Sequence, residues 1–216
     1  MHRLLVTGFE PFGKEKVNPS CDLIAALDGL QVENWQVMGR ILPVSVEKNR
    51  EGFGALLHEV QPHVLVSVGL SASARHITLE RVALNVLDTR IPDNDGNHFR
   101  DEPIVPGGPA AYFSTLPIRP LLQRLHEKKV PAVLSNSAGT YLCNYVMYLG
   151  LHLSRHVLSP TTPGFAHTLS GFVHVPFLHE HVLDRSEFAS LSFETMLRGV
   201  EEIIRGSISH FSQLSS

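Results

Sequence analysis

The strongest constraint on this chain is an alternation of short apolar runs with longer amphipathic segments. The clearest run is His63-Val64-Leu65-Val66-Ser67-Val68-Gly69, and Leu4-Leu5-Val6-Thr7, Pro131 to Ser135 and Leu169 to Val175 are similar. A strand that is apolar along its whole length is buried on both faces, as central strands of parallel sheets are. Parallel neighbours need crossover connections, and the intervening segments are long enough to be helices. The pattern therefore predicts an α/β fold: a three-layer αβα sandwich around an open, twisted, mostly parallel sheet.

Helices are expected over Ser20 to Leu27, Glu47 to Val60, Pro117 to Lys129, Tyr141 to Leu153, and Ser186 to about Arg205. Gly29 and Pro62 stop the first two, and basic residues in the last turn of the third suit the helix dipole. Trp35 to Val46 alternates as a strand, and Ile77 to Leu87 looks extended before the turn-rich Ile91 to Asn97. Ser159-Pro160-Thr161-Thr162-Pro163-Gly164 is the nearest thing to a linker, but it reads as a surface loop. With 216 residues and no repeat or low-complexity segment, the expectation is one domain spanning residues 1–216.

Lys and Arg number 18 and Asp and Glu 21, for a net charge of −3. That balance gives neither the basic patch of a nucleic-acid binder nor an acidic tail. The longest stretch without Asp, Glu, Lys or Arg, Val130 to Ser154, is interrupted by Pro, Ser, Asn, Gly and His, unlike a membrane helix. Two cysteines are too few for a disulfide framework, and MHRLLVTGFEPFG lacks the apolar core of a secretory signal. The expected setting is cytoplasmic, with free thiols.

Thirteen histidines and two cysteines supply the reactive groups. Cys21 falls among Leu23 and Ile24 and reads as a packed small side chain. Cys143 follows an apolar run and the small, flexible Ser135-Asn136-Ser137-Ala138-Gly139-Thr140, and precedes a helical segment. A cysteine in the first turn of a helix meets unpaired N–H groups, which lower its pKa and can hold an oxyanion. A nucleophilic role and plain core packing both remain open on that geometry.

Such a nucleophile needs a base. His58, His126, His152 and His156 fall in helical patterns among polar neighbours, and His98 and His210 in polar loop or tail surroundings. All six read as solvated. His174, in Gly171-Phe172-Val173-His174-Val175-Pro176, sits at the C-terminal end of a strand, the edge where open α/β sheets place their sites. Its alternative is a hydrogen-bonded core imidazole. Glu80 interrupts an apolar segment and needs a partner, either Arg81 or Arg90 or an imidazolium.

These residues belong to segments that together resemble the pyrrolidone carboxyl peptidases, or pyroglutamyl peptidases, cysteine peptidases that remove an N-terminal pyroglutamate. The segments are Thr7-Gly8-Phe9-Glu10-Pro11-Phe12-Gly13, Asn18-Pro19-Ser20, Glu80-Arg81-Val82-Ala83, Arg90-Ile91-Pro92-Asp93-Asn94, Gly107 to Tyr112, Ser137-Ala138-Gly139-Thr140-Tyr141-Leu142-Cys143-Asn144 and Gly171 to Pro176. The resemblance implies Cys143 as nucleophile, His174 as acid and base, and Glu80 as the orienting acid. It further implies an apolar pocket for the pyroglutamyl ring from Phe9, Phe12, Val44, Ile91, Tyr141 and Leu142, with Arg90 near the oxyanion site. An uncharged lactam suits apolar walls with a few donors and acceptors.

It also implies a thioester intermediate, no metal or other cofactor, pyroglutamyl peptides as substrates and a homotetramer. Two positions depart from the family pattern: Leu70 stands where a glutamine is usual, and Val44 where a threonine is usual. Two rival readings are a metal-dependent hydrolase using His179-Glu180-His181, and a ligand-binding relative without turnover.

Overall fold

A computed structural model of the chain describes residues 1–156 and 168–214. The Ser159 to Gly164 loop lies outside the described residues. In chain order the elements are β1 (His2–Phe9), α1 (Pro19–Leu27), β2 (Gln31–Val32), β3 (Trp35–Leu42), α2 (Val46–Val60), β4 (Val64–Leu70), β5 (Ile77–Glu80), β6 (Val82–Leu84), β7 (Ala111–Phe113), α3 (Ile118–Glu127), β8 (Ala132–Ser135), α4 (Leu142–His156), β9 (Leu169–Val175), β10 (Phe177–Leu178), β11 (Ser190–Leu191) and α5 (Phe193–Leu214).

The main sheet has seven strands in the order β2-β3-β1-β4-β9-β5-β8. β3, β1, β4 and β9 run parallel, β2 is antiparallel to β3, and β5 crosses to antiparallel against β9 while pairing in parallel with β8. The expected mostly parallel sheet is therefore present. Its central strands are apolar throughout because each face has its own helical layer. Leu4, Val6, Val64 and Val66 pack with α1, α3 and α5 side chains such as Leu27, Leu125 and Ile204. Leu5, Leu65 and Phe172 face the other way, onto Phe53 and Leu57 of α2 and Val146 and Leu151 of α4.

α1 sits close on β1 because Gly8 has no side chain. A Cβ there would come within 2.7 Å of Ile24 Cγ1 and 2.9 Å of the Ser20 carbonyl oxygen. Asn18 caps the helix by accepting from the Ser20 N–H, Pro19 fills its first turn, and the Ser20 hydroxyl bonds the backbone of Phe9.

Several boundaries differ from expectation, each for a local reason. β3 ends at Leu42, because Pro43 follows and Ser45 caps α2 by accepting from the Lys48 N–H, so Val46 opens the helix. The extended segment from Ile77 splits at Arg81: β5 joins the main sheet, whereas β6 turns away to pair with β7 in a separate ribbon. The last helix runs Phe193–Leu214, later than Ser186 to Arg205. Ser192 caps it by accepting from Thr195 N–H, and the buried stripe continues through Ile208 and Phe211. The residues before it form β11, paired with β10, and place Phe188 on Phe177. His210 accordingly lies in α5, not in a polar tail. Among the described residues, no helix is long and apolar enough to cross a membrane.

Candidate active site

Strand ends and one helix start converge on a cavity of about 780 Å³. β1 ends in Phe9, β4 in Leu70, and β9 carries His174 one residue before its end, all at the C-terminal edge of the parallel strands. Cys143 is the second residue of α4 and faces the same cavity.

The position of α4 is set by Asn144. Fully buried, it accepts from the Leu84 N–H and donates to the carbonyls of Leu84 and Val86, so the first helical turn is tied to β6. Gly139, at φ +83, lets the preceding loop turn back, and Tyr145 N–H reaches the Tyr141 carbonyl to close the first turn. The first N–H groups of a helix have no partner within it and can hold an anion, and this helix starts at the cavity.

Gly69 creates room for the thiol. A Cβ at this position would stand 2.8 Å from Cζ of Phe172 and 3.0 Å from Sγ of Cys143. Across the sheet Gly69 pairs with His174, and His174 pairs on its other side with Thr78. Side chains two residues apart on a strand share a face, so Glu80 lies diagonally across from His174. The imidazole Nδ1 is 2.7 Å from Glu80 Oε1, and Glu80 is 2% exposed. The other carboxylate oxygen, Oε2, is buried without a hydrogen-bond partner. Its charge therefore depends on the imidazolium for compensation.

Burial alone would lower the pKa of His174. The Cys143 sulfur, as negative charge and hydrogen-bond partner, and then the Glu80 carboxylate reverse that and raise it well above the ordinary histidine value. Cysteine, imidazole and carboxylate thus line one cavity, with the imidazole held by the carboxylate. Arg81 and Arg90, the other partners open to Glu80, make no ion pair with it.

The expected pocket residues Phe9, Phe12, Val44, Ile91, Tyr141 and Leu142 all line this cavity, as does Arg90. Phe9, Val44 and Leu142 are buried, whereas Ile91 is 42% exposed at the mouth. The Tyr141 hydroxyl donates to the Pro92 carbonyl at 3.0 Å, and its ring lies 6.2 Å from that of Phe12, which fixes one wall. Burial, followed by Asp93 and Cys143, pushes the Tyr141 pKa up to about 12, so the hydroxyl stays neutral. Asp93 is not the counterion of Arg90; it accepts the N–H groups of Val46, Asp95 and Asn97 and holds the turn together.

At the two departures, Leu70 packs with Phe177 and Val182 in a small apolar cluster. Val44 lines the cavity, and its backbone accepts from Asn94 N–H and donates to Glu10.

The remaining sulfur and histidines lie elsewhere. Cys21 is half-buried, donates to the Phe9 carbonyl, and has its pKa raised by burial and by Asp22 and Glu10. His152 is not simply solvated, since Nδ1 meets the Tyr112 hydroxyl at 2.9 Å and the ring stacks on Tyr148. His179 to His181 form a single 3-10 turn in which His179 bonds Ser190. No group of three or more His, Cys, Asp or Glu able to hold a metal occurs among the described residues. Among these residues the metal-hydrolase reading has no geometry behind it. Sequence reasoning missed Asn144 and the spacing role of Gly69; an asparagine directly after the candidate nucleophile was the only available signal for the first.

Residues 2–210 match the model of the pyroglutamyl peptidase family. The chain belongs to this family. It is 50% identical over 183 residues to the pyrrolidone-carboxylate peptidase of Pyrococcus furiosus, covering 85% of each chain. A relative of the same name from Thermococcus onnurineus is 41% identical, over 95% of this chain and 98% of its own. Crystal structures of pyrrolidone carboxyl peptidase from Pyrococcus furiosus superpose with a TM-score of 0.89 at 45% identity, covering 97% of this chain and 99% of the other. A pyroglutamyl peptidase fold thus surrounds the Cys143, His174 and Glu80 cluster.

Proposed function

We propose that the chain is a pyroglutamyl peptidase, one catalytic domain over residues 1–216, which cleaves N-terminal pyroglutamate from peptides through a thioester. The observation that carries the reading is His174, hydrogen-bonded to Glu80, lining the same cavity as Cys143 beside an apolar pocket, in a chain of this family. Phe9, Phe12, Val44, Ile91, Tyr141 and Leu142 receive the flat, uncharged lactam. A free amino terminus would need a buried carboxylate there; Glu80 is taken by His174, and Asp88, the cavity's other acid, is exposed to solvent.

The Cys143 thiolate attacks the carbonyl carbon of the pyroglutamyl group. N–H groups at the start of α4 hold the developing oxyanion, with Arg90 adding positive charge at the mouth. The carbon–nitrogen bond breaks as the His174 imidazolium gives its proton to the leaving amine. His174, now neutral, takes a proton from water, whose oxygen attacks the thioester; pyroglutamate departs and the thiol is restored. Glu80 keeps Nδ1 of the ring engaged, so Nε2 is the atom that exchanges protons.

A cytoplasmic location and a homotetramer belong to the same proposal. Both cysteines are unpaired, as a reducing compartment would keep them. The test of function is to incubate the reduced protein with a pyroglutamyl peptide and follow products by mass spectrometry. Free pyroglutamate and the shortened peptide are expected; intact peptide in the presence of folded, reduced protein would overturn the proposal.

A further inference from the structure

The cavity is longer than the acyl pocket. Of the residues suited to the lactam, Phe9, Phe12 and Val44 come from β1 and from the segments after β1 and β3, while Ile91 comes from the segment between β6 and β7 and Tyr141 and Leu142 from the start of α4. The sheet order β1-β4-β9-β5-β8 puts the rest of the cavity on the side away from β1, over β5 and β8. If the acyl carbonyl sits at Cys143 with its ring toward β1, the leaving peptide has to exit across β5 and β8. The floor there is a cross-strand pair, Thr78 and Val133, and Val133 is 39% exposed.

The wall above this floor is the segment between β4 and β5. Its start is fixed where Ser71 N–H donates to the Val175 carbonyl, and its end supplies the exposed, cavity-lining side chains of Arg75 and His76. Among the described residues neither makes an ion pair with an acid. The cavity's other charged groups lie elsewhere. Glu80 is buried against His174, while Asp88 and Arg90 flank Thr140 and the Tyr141 wall on the acyl side, where Asp88 N–H meets the Thr140 carbonyl. The leaving side is therefore cationic without an internal counterion.

We propose that Arg75, seconded by His76, forms a leaving-group subsite that favours a carboxylate on the residue following pyroglutamate. The inference rests on the pyroglutamyl peptidase reading. The carboxylate can be an acidic side chain or the free terminus of a dipeptide, since a guanidinium binds both alike. Lysine at that position meets like charge and is disfavoured.

The experiment compares kcat/KM for pyroglutamyl-glutamate amide, pyroglutamyl-glutamine amide, pyroglutamyl-glutamine free acid and pyroglutamyl-lysine amide, in the wild type and in R75Q, R75K and R75E. Ratios are read within each enzyme, so they do not depend on the folded fraction, and a merely structural role for Arg75 would lower all substrates together. In the wild type at low salt, either carboxylate should exceed glutamine amide by about threefold, the scale of an exposed charge pair, and added salt should shrink the gain. R75K should keep the preference, R75Q should remove most of it, and R75E should turn it toward lysine. A glutamate-to-glutamine ratio near one in the wild type, or an unchanged ratio in R75Q, would overturn the subsite. If no pyroglutamyl substrate is cleaved at all, it is the functional reading that fails.

Discussion

Glu80 and His174 stand diagonally across the antiparallel pairing of β5 and β9, with Oε1 2.7 Å from Nδ1. The contact spans 94 residues of chain and leaves the second carboxylate oxygen buried without a donor. Glu80 is therefore committed to the charged form of the imidazole and serves as the positioning residue of the site.

Replacing Glu80 with Gln keeps the shape but removes the charge that helps to raise the His174 pKa. Turnover should fall by on the order of a hundredfold or more, with KM changing far less. The sign of the pH effect follows from the cause: without the carboxylate the imidazolium is less favoured, its pKa drops, and the alkaline limb of kcat/KM should move to lower pH. An effect on KM alone, or an unmoved alkaline limb, would place Glu80 outside the catalytic geometry.

Gly69 is required by space, not by backbone freedom. A methyl group at this position meets the Phe172 ring at 2.8 Å and the Cys143 sulfur at 3.0 Å. G69A should lower kcat sharply by displacing the nucleophile, while far-ultraviolet circular dichroism stays that of the wild type. Wild-type turnover in G69A would show that the thiol has more room than the contacts imply.

Asn144 ties the first turn of α4 to the end of β6 and to Val86 just beyond it through three hydrogen bonds. N144A strands two carbonyls and one N–H in a buried place, at a cost of about 1–3 kcal/mol. Chemical denaturation should register that loss. A midpoint within error of the wild type would mean that the backbone of β6 finds other partners.

His63 lies against the rings of His2, Trp35 and Phe211, and its pKa is lowered from 6.5 to about 4, first by burial and then by the charge of His2. The native state resists protonation that the unfolded chain accepts near 6.5. This contribution to stability is thus whole above that value and is lost as pH falls toward about 4. Thermal melts across that range should show a falling Tm, and H63F should flatten the slope. Equal slopes would assign the acid sensitivity to other groups.

The sequence made the sheet legible because burial on both faces leaves β4 and β9 apolar along their length. It also singled out Cys143 by its place at a helix start and His174 by its place at a strand end. It did not disclose which cation or imidazole meets Glu80, because spacing along the chain says nothing about a contact made by sheet register. The break at Arg81 was hidden for a related reason, since β5 and β6 read as one extended segment until their partners differ. β2, β10 and β11 are too short, at two residues each, to carry a pattern. The true start of α5 did leave a signal: Ser192 before Phe193, with Glu194 in the first turn, is an N-cap sequence that the amphipathic stripe overrode.

The central claim, that Cys143 and not Cys21 performs acyl transfer from pyroglutamate, meets its most direct test in one measurement. Release of the amine from a pyroglutamyl-amide reporter is followed for the wild type, C143A and C21S, each shown to be folded and reduced. The wild type should turn over, C143A should lose at least about a thousandfold, and C21S should keep most of the activity, because Cys21 only bonds the Phe9 carbonyl. Turnover by C143A at a wild-type rate, or equal losses in the two variants, would contradict the account.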